Sequence, residues 1–256
     1  MKQQKISENL FGNAAERYLT SPVHAQGGDL ERLAALVRHI GPVKALDLGC
    51  GAGHASFALA SSGAHVTACD PSENMLGVVS REAKRLVLPI QTVLSPAEKL
   101  PFEDASFGLI VTRYSAHHWR NLKVSLDEAA RVLVPGGKLV AIDSIAPEEP
   151  LFDTILQTIE LLRDASHVRN YRVSEWKLML VDAGFSVVES DVWMVRIEFG
   201  SWITRLDTPP ARVEALRAVF PDLPDEAQHY FGIGEDYSFD LGTAWVEASR
   251  CQQEAK

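Results

Sequence analysis

The stretch Leu46-Asp47-Leu48-Gly49-Cys50-Gly51-Ala52-Gly53-His54 decides the fold. Leading into it, residues 43–48 are an apolar run with one Lys44-Ala45 interruption, which reads as a short buried strand. Following it, Ala55-Ser56-Phe57-Ala58-Leu59-Ala60 reads as a helix. Strand, glycine turn and helix make the ligand corner of a doubly wound sheet, past the carboxyl end of the strand. Glycine admits positive φ and lets a ligand approach the bare backbone.

Further strands and helices alternate on both sides of this corner. Upstream, residues 1–12 read as frayed, 13–19 as a helical turn closed by Ser21-Pro22, and Asp29 as the N-cap of a helix over 30–39. Gly41-Pro42 stops that helix. Downstream, strands are expected over 65–70, 90–94, 107–112 and 138–143, with helices over 55–61, 72–85 and 122–132 between them. Pro135-Gly136-Gly137 reads as a tight turn into the fifth strand. The fourth strand is nearly all apolar and so expected to be buried on both faces. Five strands alternating with helices in about a hundred residues imply a parallel sheet with right-handed crossovers. Beyond Pro147-Glu148-Glu149-Pro150, helices are expected over 151–164 and from a Ser174 cap to Ala183, with Gly184 as the stop. A strand bent near Asp191 follows over 185–199. Helices over 201–230 break at Pro209-Pro210 and Pro221, a strand pair over 238–249 turns near Gly242, and the tail from Arg250 is expected to be disordered.

Bulk properties narrow the function. A net charge of −9 argues against non-specific nucleic-acid binding, which needs a positive surface. Three cysteines, Cys50, Cys69 and Cys251, include no CxxC pair, so a reduced compartment is expected and no disulfide framework or metal site. No apolar run approaches the ~18 residues that span a bilayer, and residues 1–12 lack a signal segment, so a cytoplasmic protein is expected.

The glycines at 49, 51 and 53 form G-x-G-x-G, whereas the dinucleotide fingerprint needs a glycine where His54 stands. Asp47, two residues before the glycines, would repel a pyrophosphate and attract an ammonium group. His54 and Asp47 together disfavour a nicotinamide-dependent oxidoreductase. The site suits a nucleoside that carries positive charge and no phosphates, a description S-adenosylmethionine fits. Asp70 closes the second strand where a carboxylate can accept from ribose hydroxyls. Its structural alternative is a helix N-cap followed by Pro71.

With these residues in hand, the chain resembles the class I S-adenosylmethionine-dependent methyltransferases. More narrowly, it is similar to the small-molecule type that includes the ubiquinone/menaquinone-biosynthesis C-methyltransferases. The resemblance rests on 46–53, on Asp70-Pro71-Ser72-Glu73-Asn74-Met75, on Ala97-Glu98-Lys99-Leu100-Pro101-Phe102, on 107–111 and on 131–139. It implies a Rossmann-like, doubly wound, mostly parallel seven-stranded α/β sheet, its last strand antiparallel, with helices on both faces. An N-terminal helical lid over 1–40, a cofactor-binding core over 41–145 and substrate-side helices and closing strands over 146–250 are expected.

The resemblance also places the site. Asp47 with Gly49, Cys50, Gly51 and Gly53 would hold the methionine moiety. Asp70 and Pro71 would lie at the ribose, Met75 near the adenine, and Ala97 would offer its N–H to an adenine ring nitrogen. The family often has Asp before that alanine; here it is Pro96, which leaves Glu98 or a backbone carbonyl for the adenine amino group. Glu98 as a solvent-facing cap is the alternative. The lid would bring Tyr18 to the cofactor and His24 to the substrate. Arg113, at the mouth of the fourth strand, would face the methionine carboxylate or a substrate anion, or else pair with Asp143. His117 or His118 would be the general base, with a hydrogen-bonded loop histidine as the alternative. Tyr114, His167, Arg169 and Tyr171 are the expected substrate contacts. No metal is expected. The partner is a small-molecule methyl acceptor, methylated at carbon or oxygen, with no nucleic acid, no membrane span, and a homodimer left open. The alternatives are a cofactor-binding regulator without catalysis and a methyltransferase acting on an acyl carboxylate.

Overall fold

A computed structural model describes residues 2–21 and 25–252. Its centre is a seven-stranded sheet of β1 (Lys44–Leu48), β2 (His65–Asp70), β3 (Ile90–Leu94), β4 (Phe107–Arg113), β5 (Leu133–Ser144), β6 (Phe185–Ile197) and β7 (Phe239–Arg250). The order is β3-β2-β1-β4-β5-β7-β6. The first five strands are parallel, and β7 runs antiparallel between β5 and β6. The chain leaves β1 toward β2 and β3, then returns to β4 on the other side of β1. That reversal opens a crevice at the carboxyl ends of β1 and β4.

Helices α1 (Gln3–Leu19), α2 (Gly28–Ile40), α3 (His54–Ser61), α4 (Glu73–Arg85), α5 (Leu122–Val132), α6 (Pro150–Arg163), α7 (Val173–Asp182), α8 (Phe199–Arg205), α9 (Pro210–Val219) and α10 (Asp225–Tyr230) surround it. Leu33 and Val37 of α2 and Leu59 of α3 bury Ala45, Leu109, Val111 and Val140 on one face. Leu122 and Leu126 of α5 and Trp176 and Leu180 of α7 bury Leu46, Ile110 and Leu139 on the other. Each such side chain contributes roughly 1.5–3 kcal/mol by leaving water. A third apolar cluster joins α6, α8, α9 and α10 to Ile197, Phe239 and Leu241.

Several expectations need correction. Residues 3–12 are not frayed but part of α1, whose Ala14 and Ala15 are buried and whose Phe11 and Tyr18 pack with Ala52, Met75 and Val78. Asp29 is not an N-cap: α2 starts at Gly28, and the Asp29 carboxylate binds Arg113 instead. Ser174 does not cap α7; Arg172 precedes that helix, and its N–H donates to Glu175 at 2.9 Å. Pro135-Gly136-Gly137 bulges within β5, shifting its register against β4 between Phe107 and Leu109. The irregularity of β6 falls between Val187 and Glu189, short of Asp191. Residues 239–250 form one strand with no turn at Gly242. Arg250 ends that strand, its guanidinium donating to the Leu133 carbonyl, and the tail expectation otherwise falls mostly outside the described residues. No described helix is long and apolar enough to cross a membrane.

Candidate active site

The crevice at the switch point is a cavity of about 1040 Å³, counting the part open to solvent. Its floor is the glycine turn. Gly49 and Cys50 both donate their N–H to the Cys69 carbonyl, at 2.8 and 3.0 Å, which bends the chain sharply off β1. Gly49 has φ +70°, and a Cβ there would collide with the Ser115 hydroxyl. Gly53 has φ +92° and does not line the cavity; a Cβ on it would come within 2.9 Å of Phe57 and Val79. Its role is close packing at the start of α3, unlike the cofactor contact expected of it.

Two carboxylates stand over this turn. Asp47 is buried on β1, and its Oδ2 accepts from the Ser56 hydroxyl at 2.6 Å. Its Oδ1 is buried without a hydrogen-bond partner among the described residues. Burial, aided by Asp70, pushes the Asp47 pKa up to about 6 against the pull of Ser56 and Arg113. Asp70 accepts from the Gly51 N–H through Oδ2 and from the Ser72 N–H through Oδ1, both at 2.9 Å. Burial raises it to about 6 as well, with Glu8 of α1 adding repulsion. The N-cap of α4 is Ser72, which accepts from the Met75 N–H at 3.4 Å, so Asp70 is left lining the cavity.

Other expected residues converge on the same space. Pro71, Met75, Ala97 and Glu98 line it from the β2 and β3 side, and Tyr18 closes it from α1. Glu98 also holds the loop before α5, accepting from the Arg120 N–H at 2.9 Å. Arg113 lines it too, pairing not with Asp143 but with Asp29 at 2.5 Å, both side chains 5% exposed. Tyr114 has φ +50° and lines both this cavity and an adjoining chamber of about 580 Å³, again counting the part open to solvent. Several lining residues carried no sequence assignment. Among them are Glu8 and Phe11 of α1, His54, whose Nε2 meets the Tyr18 carbonyl at 3.1 Å, and Trp119. The apolar spacing Ile6, Leu10, Phe11, Ala14, Ala15, Tyr18 was the available signal for α1.

The two histidines differ. His117 Nδ1 donates to Asp143 Oδ1 at 2.6 Å, leaving Nε2 as the basic atom, and the residue lines the adjoining chamber. Burial opposes its charge, but Asp143 with help from Glu160 and Asp164 outweighs burial, so its pKa stands above the ordinary value. His118 lines both spaces, with its ring 4.6 Å from that of Phe11; burial and the neighbouring His117 push its pKa well down.

The remaining substrate candidates stand outside both linings. His167 Nε2 meets Gln157 at 2.9 Å, Arg169 pairs with Asp153 at 2.8 Å, and Tyr171 bridges to Ile145 in parallel fashion. The Val168 and Arg169 N–H groups dock on the His117 carbonyl. This segment clasps α6 to α7 and so holds the loop that carries His117. His24 lies outside the described residues.

Comparison with known proteins agrees with this geometry. Residues 46–141 match a family model described as a methyltransferase domain. The chain is 38% identical over 199 residues to YafE, an uncharacterised protein of Escherichia coli (strain K12), covering 77% of this chain and 96% of YafE. It is 33% identical over 247 residues to YcgJ, an uncharacterised methyltransferase of Bacillus subtilis (strain 168), covering 94% of this chain and 98% of YcgJ. The crystal structure of YcgJ superposes with a TM-score of 0.79 and 28% identity, covering 87% of this chain and all of that one.

Proposed function

The chain belongs to the class I S-adenosylmethionine-dependent methyltransferases, and we propose that it methylates a small molecule that meets the cofactor between the crevice and the adjoining chamber. The observation that carries this reading is the orphaned Oδ1 of Asp47. A buried carboxylate oxygen with no donor, beside bare glycine backbone, fits a cationic amino group and fits no phosphate. Asp70 still has lone pairs for ribose hydroxyls, and Met75 and Ala97 offer an apolar seat beyond it.

S-adenosylmethionine held by Asp47, the glycine turn and Asp70 would supply a methyl group on a sulfonium, whose S–C bond would yield a neutral thioether. No acid is needed on the leaving side, so the protein's contribution is placement and handling of the acceptor's proton. His117 Nε2 takes that proton as the acceptor's electron pair forms the new bond, and Asp143 holds the ring in orientation and stabilises its charge. His118, with its pKa well down, stays neutral and shapes the wall.

The direct test is transfer of label from methyl-labelled S-adenosylmethionine into the small-molecule fraction of a cell extract. The parent protein is expected to label a product that His117→Ala labels about 100-fold more slowly or worse. Label no higher than a protein-free blank, in repeated extracts, rejects the reading.

A further inference from the structure

The adjoining chamber contains a charged pole that the transfer step above does not use. Arg163 of α6 and Arg205 of α8 both line it. Arg163 is 8% exposed; its Nε donates to the Trp202 carbonyl at 3.1 Å, and its Nη2 reaches the Tyr18 hydroxyl at 3.5 Å. Arg205 bonds the same phenol, with its guanidinium carbon 5.8 Å from the ring centre. Neither guanidinium forms an ion pair among the described residues. Glu160 of α6 is the carboxylate that shares the chamber; the residue is 6% exposed, and its side chain makes no hydrogen bond among the described residues. Asp164 attracts Arg163 from outside the lining while accepting from Ser166.

A buried guanidinium, Arg163, with a half-buried one, Arg205, in the same chamber is costly unless an anion sits with them. Burial and the like charge of Arg163 hold the Arg205 pKa below its usual value, whereas Tyr18, Glu160 and Asp164 raise that of Arg163, so Arg205 is the member of the pair left short of negative charge. Much of the remaining lining is flat or apolar, namely Trp202, with the Arg163 guanidinium 5.3 Å over its ring, and Val195, Ile197 and Leu241, beside the hydroxyls of Ser144 and Thr243. His117 and Tyr114 line the same chamber, and Tyr114 lines the crevice as well.

We propose that this chamber is the methyl-acceptor subsite and that it selects a small, flat acceptor carrying a carboxylate, with the carboxylate between Arg163 and Arg205 and the nucleophile turned toward His117. Arginine forks match a planar carboxylate in geometry and charge. A monoanion fits better than a phosphate ester, because Glu160 in the same small space repels a second negative charge. The assignment of an acceptor rests on the reading of the crevice as the cofactor site; the anion pole does not.

Titration calorimetry on the full chain, saturated with S-adenosylhomocysteine, tests this with benzoate, benzamide and phenyl phosphate as probes. Benzoate is expected to bind one to one and at least about tenfold tighter than benzamide. Arg163→Gln and Arg205→Gln, each checked for folding by its melting curve, are expected to bring benzoate down to the benzamide level. Should a variant not fold, the benzoate-to-benzamide ratio of the parent protein still decides. Equal binding of the two, or binding of neither, overturns the proposal. Tighter binding of phenyl phosphate overturns the carboxylate assignment. If S-adenosylhomocysteine itself fails to bind, the cofactor reading falls, and the same probes without it then decide the anion pole alone.

Discussion

Asp47 costs the fold stability that its proposed role at the cofactor would explain. Its carboxyl titrates near 6 in the folded chain against an ordinary value of 3.8. Between those two values the folded state keeps a proton that the unfolded state has lost, so this group's stabilising share is full below 3.8 and is lost as pH rises through about 6. Asp47→Asn keeps an acceptor for Ser56 and removes the charge. Its melting temperature above pH 6 is expected to exceed the parent's, by up to ~3 kcal/mol in stability at neutral pH. The same variant should bind S-adenosylmethionine about tenfold more weakly or worse, having lost a charge-assisted contact. In the parent, affinity for the cofactor should climb between pH 5 and 7, because the ammonium prefers the ionised carboxylate. Asp70 titrates in the same range, so the comparison with Asp47→Asn isolates the Asp47 share; calorimetric profiles of equal slope in both proteins would remove Asp47 from the ammonium site. Asp47 and the glycines were legible because they are neighbours in the chain and their chemistry is written in one line of sequence. The partners of Arg113 and His117 were not, since Asp29 and Asp143 are 84 and 26 residues away and only the fold brings them near.

At the scale of elements, α1 is where sequence reading failed and where the site is most exposed to manipulation. Its first residues, Gln3-Gln4-Lys5, look like a polar tail, yet Gln3 donates to the carbonyls of His118 at 3.0 Å and Ser166 at 2.7 Å. Such contacts lie more than a hundred residues away and leave no local trace. The sheet's two faces are already covered by α2 to α5 and α7, so α1 adds a wall to the crevice and little to the core. Deleting residues 1–20 is therefore expected to leave a cooperatively melting protein that binds S-adenosylmethionine at least about tenfold more weakly, since Glu8, Phe11 and Tyr18 are lost together. Circular dichroism and calorimetry on the truncated chain check both halves; undiminished affinity would show that α1 is no part of the site. β7 was misread for a related reason. Gly242 looked like a turn, but a Cβ there would stand 3.2 Å from Ile145, so the glycine admits a close approach within a continuous strand. The parallel strand β4 was legible because Phe107 to Val111 form the near-continuous apolar run of a strand buried on both faces.

For the molecule as a whole, the crevice is built by parts that the sheet alone does not hold together. Asp47 belongs to β1, Asp70 to β2, Arg113 to β4, and Tyr18 to a helix that joins the sheet only through side chains. A ligand that touches all four stabilises the folded chain as a unit, by RT ln(1 + [L]/Kd), or about 2.7 kcal/mol at a hundredfold excess over Kd. For a chain of 256 residues that corresponds to a rise in Tm of roughly 5–10 °C. S-adenosylhomocysteine is expected to produce such a shift in a thermal-unfolding assay. NADH at equal concentration should produce none, because Asp47 repels its pyrophosphate and His54 stands where the dinucleotide turn needs glycine. The shift should also weaken in parallel with affinity on going from pH 7 to pH 5, because the same Asp47 proton opposes binding and favours the empty fold. Ligand-induced shifts that stay constant across that range would mean the stabilisation arises elsewhere than at the two buried carboxylates.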